Sequence, residues 1–517
     1  MTIHAMSAVD AAWYHMDGPA NTAMVTGMLV TRTPLDFAKV REVYRQRLLG
    51  FDRFRQRVVE RGIAFSTPHW EDQPDFDLDQ HLHHIALPAP HDRAALSALI
   101  DDIASQPLDH AQPLWQAHVI DGVEGGSAVI TRYHHCIGDG TAMMAVMQRL
   151  YDTDPDTPPD ALAERERPGM RGAASRKLAH GFDAMARAAR KAGMPPPASA
   201  QPALPQPSTV DKAKLLLAGA GMLVSELLKW PDPKSPLKGD FQPRKRVAWS
   251  EPVAIADVKA IGAPTGAKVN DVLVAGMTGA LRAYLKRRGV DVNRTTVRAM
   301  VPVDLRPPER FGELGNEFGL VILDLAVAKA RATDRLAQTK VRMDALKRSP
   351  EALAMRVLLD IFGRGPKPLE AFANQIFGSK ASVVMTNVAG PREQLYLAGT
   401  PIDRMMFWVP HPGRQLGMGI SILSYRSQAS LAVIADAHLV PDPETITALF
   451  NREFSTMLKA LSAAAAEAPP DRTAKTGKGK ARTGQGRKTA TKRQARPPRT
   501  PTARGPRVEK GRRRAAT

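Results

Sequence analysis

The chain has 517 residues, 43% of them hydrophobic and 24% charged, one cysteine and a formal charge of +20, a length that exceeds what one core usually supports and predicts two domains plus linkers. Pro470 to Thr517 holds 17 Lys or Arg against Asp471 and Glu509, which is +15 of that total, so the body is not a basic nucleic-acid binder. The lone Cys136 excludes an internal disulfide and a cysteine-built zinc cage and fits a reducing cytoplasm.

The first residues lack a basic segment followed by an apolar stretch and a small-residue cleavage site, so no export is expected. From residue 1 to 155 helix-like and strand-like patterns alternate: "DFAKVREVYRQRLL" has helical spacing, whereas "MVTGMLVT" and "SAVITRYHH" are short and β-branched. Residues 156–245 are punctuated by proline clusters that bracket two helix-like segments, Lys177 to Lys191 and Lys212 to Trp230. They read as an interdomain connection. The apolar run Leu215 to Val224 inside it is about half of what spanning a bilayer requires, so no transmembrane helix is expected.

Residues 246–468 return to an α/β pattern. "VNDVLVAGMTGALRAYLKRRG" is an amphipathic helix, and "VRAMVPVDLR", "FGLVILDLAV", "ASVVMTNVAG" and "QASLAVIAD" are strands. The alternation predicts mixed sheets covered by helices in both halves. Residues 469–517 have too few apolar groups to offset chain entropy and are expected to be a disordered basic tail.

The chemistry concentrates in "RYHHCIGDGTAMMAVMQRL", Arg132 to Leu150. The strand "SAVITRYHH" ends at the histidine pair, and Gly138 and Gly140 permit a sharp turn before a helix near Thr141. Strand side chains alternate between faces, so one of His134 and His135 faces a cavity and the other the interior. Adjacent histidines pointing apart do not supply the three or four convergent ligands of a metal site, and no metal is expected. A thiol nucleophile at Cys136 would need a base beside it, and His135 should project the other way. From the residues alone, a satisfied core pair of histidines remains open.

"HHCIGDG" matches the HHxxxDG motif of the CoA-dependent acyltransferase superfamily. The chain further resembles the bacterial wax ester synthase/diacylglycerol acyltransferase family from Met6 to Asp436, in "MSAVDAAWYHMD", "QPLDHAQPLW", "KVNDVLVAGMTGALRAYL", "MVPVDLRP" with "LGNEFG", and "TNVAGPREQLYLAGTPI". The resemblance implies a two-domain chloramphenicol acetyltransferase-like α/β fold with an active-site channel at the domain interface. Acyl-CoA would be a co-substrate, with no cofactor, and a lipid alcohol the acceptor.

Within the motif it implies His135 as general base, beside His134, with Asp139 and Gly140. Asp139 would pair structurally with Arg306, and Gly140 would leave room for substrate. Asn270 and Asp271 resemble the family's Asn-Asp motif, a contact near the reacting centre or a support for the channel, although helix capping explains the same pair. Trp115 of the "PLW" block is expected to pack next to the site, and Met143, Met144 and Met147 to belong to the core. The chain departs from the family at "EFGLV" after Asn316 and at "WVPHPG", which bears on acceptor preference. The implied protein is cytoplasmic and peripherally attached to the membrane's inner face or to lipid inclusions, with nucleic acid reachable only through the tail. Carrier-dependent condensation and a weakly catalytic lipid-surface or nucleoid-binding protein on the same fold are the competing readings.

Overall fold

The computed structural model describes residues 3–162, except 19, 21 and 61–66. It also describes 232 and 235–467, except 308–309, 348, 350–351, 353–354, 357–358, 361–377 and 412–415. The helix-like segments expected at Lys177 to Lys191 and Lys212 to Trp230, and the basic tail, lie outside the described residues. The described residues up to Ala466 belong to one compact unit.

Three sheets organise it. The smallest joins β1 (Ile3–Ala5), β3 (Gln56–Val59) and β4 (His69–Asp72). The six-stranded sheet contains β2 (Met24–Thr31), β5 (Leu82–Ala86), β6 (Trp115–Val123), β7 (Gly126–His134), β13 (Tyr396–Leu397) and β14 (Thr400–Trp408), in the order β13-β14-β2-β7-β6-β5. The seven-stranded sheet runs β11-β10-β12-β15-β16-β8, with β9 (Val253–Ala254) beside β16. Its strands are β8 (Lys245–Trp249), β10 (Val297–Asp304), β11 (Phe318–Leu325), β12 (Val383–Ala389), β15 (Met418–Tyr425) and β16 (Gln428–Asp436). Parallel pairs occur at β5/β6, β10/β12 and β12/β15, so both large sheets are mixed.

The run "MVTGMLVT" is buried at every position but Gly27, as a strand flanked on both sides should be. Its neighbour β14 comes from the second half of the chain, a crossover that the pattern of elements does not announce. Helix α1 (Ala8–Met16) starts at Ser7, whose hydroxyl accepts the Asp10 N–H at 3.1 Å. Helices α2 (Phe37–Arg47), α3 (Arg93–Ser105) and α4 (Gly140–Leu150) follow in the first half. Helix α3 packs on β8, where Asp101 Oδ1 accepts the Val247 N–H at 2.6 Å.

In the second half, α5 (Ile255–Gly262) and α7 (Ala332–Leu346) flank α6 (Val269–Arg287), which is buried along most of its length and carries the core beneath the seven-stranded sheet. One apolar cluster unites Met28, Ile130 and Trp408 of the six-stranded sheet with Val247, Trp249 and Ile434 of the other. Trp408 is wholly buried there, and its Nε1–H donates to the Ala248 carbonyl at 3.1 Å. Burying indole and alkyl groups on both inner faces is what holds the sheets together.

Candidate active site

Strand β7 ends on His134, and the two histidines after Tyr133 part company there. His134 is fully buried, its backbone N–H donating to the Leu114 carbonyl at 2.9 Å. Its Nδ1 accepts the Cys136 N–H at 3.1 Å, so the neutral ring carries its proton on Nε2, which faces Asp17 at 3.9 Å. Burial pushes this imidazole down to about 4, against the pull of Asp17. It is a neutral structural group that closes the turn.

His135 keeps an accessible edge. Its ring lies parallel to Trp13, centroids 3.9 Å apart and planes within 10°, and is tilted against Phe318 at 6.0 Å. Nδ1 is 3.0 Å from Asn316 Oδ1, and Nε2 takes no hydrogen bond among the described residues. Burial lowers the imidazole's pKa below its ordinary value, partly offset by Asp139, Asn316 and Asp10. The ring is therefore neutral at pH 7 and able to accept a proton.

The turn that follows is tied residue by residue to a segment of the second half. Ile137 O accepts the Gly315 N–H at 3.0 Å, and Gly315 O accepts the Asp139 N–H at 3.2 Å. Asp139 is the N-cap of α4: Oδ1 accepts the Ala142 N–H at 2.9 Å, and Oδ2 accepts the Glu317 N–H at 2.8 Å and Arg306 at 3.0 Å. Arg306 also donates to the Glu313 and Gly315 carbonyls, at 2.9 and 2.7 Å. Both members of this ion pair are buried, with every oxygen of the carboxylate used.

One residue on, Thr141 Oγ1 donates to Asp304 Oδ2 at 2.8 Å, and burial together with the nearby Asp139 charge raises Asp304 to about 7. Gly138 is where the turn has no room for a side chain, since a Cβ would lie 2.7 Å from that of Ala142. Gly140 is exposed, and a Cβ there would meet only Val388 Cγ2 at 3.8 Å, which leaves space beside the motif.

The other expected residues fall into two groups. Asn270, at the start of α6, accepts a hydrogen bond from Asn387 Nδ2 at 2.5 Å, and the next residue of that strand, Val388, lies beside Gly140. Asp271 faces inward instead. It is wholly buried and accepts the Lys268 N–H at 2.8 Å, the position of a capping residue and not of a substrate contact.

Trp115 likewise lines no opening. Its ring is fully buried, Nε1–H donating to the Phe54 carbonyl at 2.8 Å, and it stacks on His81 with centroids 4.9 Å apart, so its place is packing. His134, grouped with the catalytic residues from the motif, is corrected to a structural role by the same test of burial. Cys136 is buried, its thiol pushed well above the ordinary value by desolvation, which removes the nucleophile reading. Met143 and Met144 are buried and Met147 packs against the same core. Among the described residues no group of three or more His, Cys, Asp or Glu could hold a metal ion.

Asp10, Asn316 and Asn387 emerge only from the structure. The signal for Asp10 was an acid amid the buried residues Ala8, Val9, Ala11 and Ala12 on one short helix, which requires a partner.

Family models describe the chain in two parts. The wax ester synthase/diacylglycerol acyltransferase catalytic domain matches residues 6–273, and the C-terminal domain of the same family matches 314–458. A Mycobacterium tuberculosis protein bearing the name diacylglycerol O-acyltransferase is 28% identical over 404 residues, covering 77% of this chain and 82% of its own. A second from that organism with the same name is 26% identical over 481 residues, covering 90% and 98%.

Among solved structures, the wax ester synthase/diacylglycerol acyltransferase of Marinobacter aquaeolei VT8 superposes with a TM-score of 0.63 at 20% identity, over 89% of this chain and all of that one. The first condensation domain of the calcium-dependent antibiotic synthetase gives 0.55 at 17% identity, over 89% and 96%. At these identities the likeness shows a shared α/β fold.

Proposed function

The chain belongs to the wax ester synthase/diacylglycerol acyltransferase family, and from that premise we propose that it moves a long-chain acyl group from acyl-CoA to the hydroxyl of diacylglycerol, a fatty alcohol, or both. The observation that carries this reading is the His135 ring, with Nδ1 occupied by Asn316 and Nε2 unclaimed among the described residues. Nε2 takes the proton of the acceptor hydroxyl while that oxygen attacks the thioester carbonyl. The tetrahedral adduct then expels the CoA thiolate, and the imidazolium returns the proton to sulfur. One C–O bond forms, one C–S bond breaks, and the base ends as it began. No acyl-enzyme is needed. The Asn270–Asn387 amides are polar groups suited to the reacting oxygens. The names carried by the mycobacterial relatives favour diacylglycerol as acceptor.

The test is ester formation by purified protein from labelled palmitoyl-CoA with diacylglycerol or hexadecanol, beside a His135→Ala control. Ester in the parent and a loss of at least about a hundredfold in the control are expected. Equal rates would remove His135 from the chemistry, and a preference for acyl-carrier donors would move the reading to condensation-type transfer.

Contact with a lipid surface is part of the proposal. No described helix is long and apolar enough to cross a membrane. The +15 of the tail supplies an alternative attraction, about 1 kcal/mol for each basic residue near an anionic bilayer. Deleting 470–517 is expected to weaken binding to vesicles containing anionic lipid, read by co-sedimentation; unchanged binding would assign attachment to the body.

A further inference from the structure

The side-chain amide of Asn316 is orientated by acceptors that leave it no choice. Its Nδ2 donates to Asp10 Oδ1 at 2.8 Å and to the His135 carbonyl at 2.8 Å, and neither of those oxygens can donate in return. Turning the amide over would set its oxygen against a carboxylate and a carbonyl in a buried place. The oxygen therefore faces His135, and an amide oxygen only accepts, so Nδ1 at 3.0 Å must be the N–H. The imidazole also meets the residue's own carbonyl, the one Asn316 holds.

Asp10 is fixed in turn. Its Oδ1 accepts the Asn316 backbone N–H at 2.9 Å as well, its carboxylate is wholly buried, and Arg53 pairs with Oδ2 at 3.1 Å. The same guanidinium donates to the carbonyls of Cys136 and Ile137, at 3.1 and 2.9 Å. A continuous polar chain thus runs from Arg53 through Asp10 and Asn316 to the far side of the imidazole. His134 has the opposite arrangement, its Nδ1 accepting from a backbone N–H.

We propose that Asn316, locked by Asp10, is a positioning residue that keeps His135 in its Nδ1–H form with Nε2 unprotonated and turned toward the acceptor hydroxyl. This rests on the reading of His135 as the base. During transfer Nε2 gains a proton, and the imidazolium is met on its other side by an amide oxygen backed by a buried carboxylate. Asn316 touches neither substrate nor the reacting atoms. Its effect passes through the ring, as the orienting group behind a catalytic histidine does.

The experiment uses the full-length protein labelled with ¹⁵N-histidine, with His135→Gln identifying the signal to be followed. In the parent at neutral pH, Nδ1 should show the shift of a protonated ring nitrogen and Nε2 that of an unprotonated one. Asn316→Ala and Asp10→Asn should each bring in the other tautomer and lower kcat tenfold or more, with KM for palmitoyl-CoA within about twofold. An Nε2–H ring in the parent overturns the proposal, as does a parent-like spectrum with kcat within threefold in both variants. If Asp10→Asn does not fold, as its buried pairing with Arg53 warns, the parent spectrum and Asn316→Ala decide. Tautomer shifts without any ester formation by the parent would leave the positioning intact and sink the transferase reading; ester formation with an unmoved spectrum does the reverse.

Discussion

His134 and His135 share a backbone bond and a residue type, yet they are held in opposite tautomers by different kinds of partner. The first gives its Nδ1 lone pair to a backbone N–H two residues ahead, inside the turn that contains it. The second presents Nδ1 to a side chain 181 residues away, and its Nε2 takes no hydrogen bond among the described residues. A local bond holds the structural histidine, whereas a long-range side-chain bond holds the one proposed as the base. Burial lowers both pKa values, so titration alone would not tell them apart.

The comparison breaks first at the rate. Removing the imidazole at 135 should cost ester formation about 10²–10⁴-fold, a larger effect than the loss of its Trp13 stacking and Asn316 contact has on the melting temperature. A stability loss without a rate loss would reverse the two roles. Next in size is the tie that holds the turn. Arg306→Ala strands the buried Asp139 carboxylate, and chemical denaturation should register a loss of about 3–5 kcal/mol. A cost near zero would mean that the pair does not anchor the motif.

His134→Ala removes the acceptor of a buried N–H, for about 1–3 kcal/mol. Its pH signature sharpens the assignment. The folded pKa of about 4 lies below the ordinary 6.5, so the unfolded chain binds the extra proton. This contribution to stability is complete above about 6.5 and is lost as pH falls toward 4. Thermal midpoints of the parent should drop through that window more steeply than those of His134→Ala. The smallest effect is on the acid limb of kcat/KM. His135 is shifted downward, so activity should fall only below the pH at which an unperturbed histidine protonates, and a limb above 6.5 would contradict a desolvated base.

What could be read along the chain was whatever a short segment dictates. "MVTGMLVT" and "VNDVLVAGMTGALRAYLKR" fold where their periodicity put them, and the resemblance brought Asp139 and Arg306 together. The contacts that separate a structural from a chemical role were not so readable. Asp10 and Asn316 are 306 residues apart, and nothing in either neighbourhood names the other. Trp115 and Asp271 sit in family blocks that suggested a place beside the site for the ring and a contact near the reacting centre for the carboxylate, but whether either faces inward is decided by what packs over it. Phe54, His81 and the Lys268 N–H made that choice.

Strand β14 has a practical consequence for anyone dividing this protein. It is encoded after residue 399 but lies between β13 and β2, so a fragment ending at 162 would display the bare edge of β2, a template for aggregation. The imidazole and the amide behind it would also fall on separate pieces. Cutting the chain between 163 and 230 should therefore give two fragments that work only when produced together, a natural basis for a split reporter of lipid esterification.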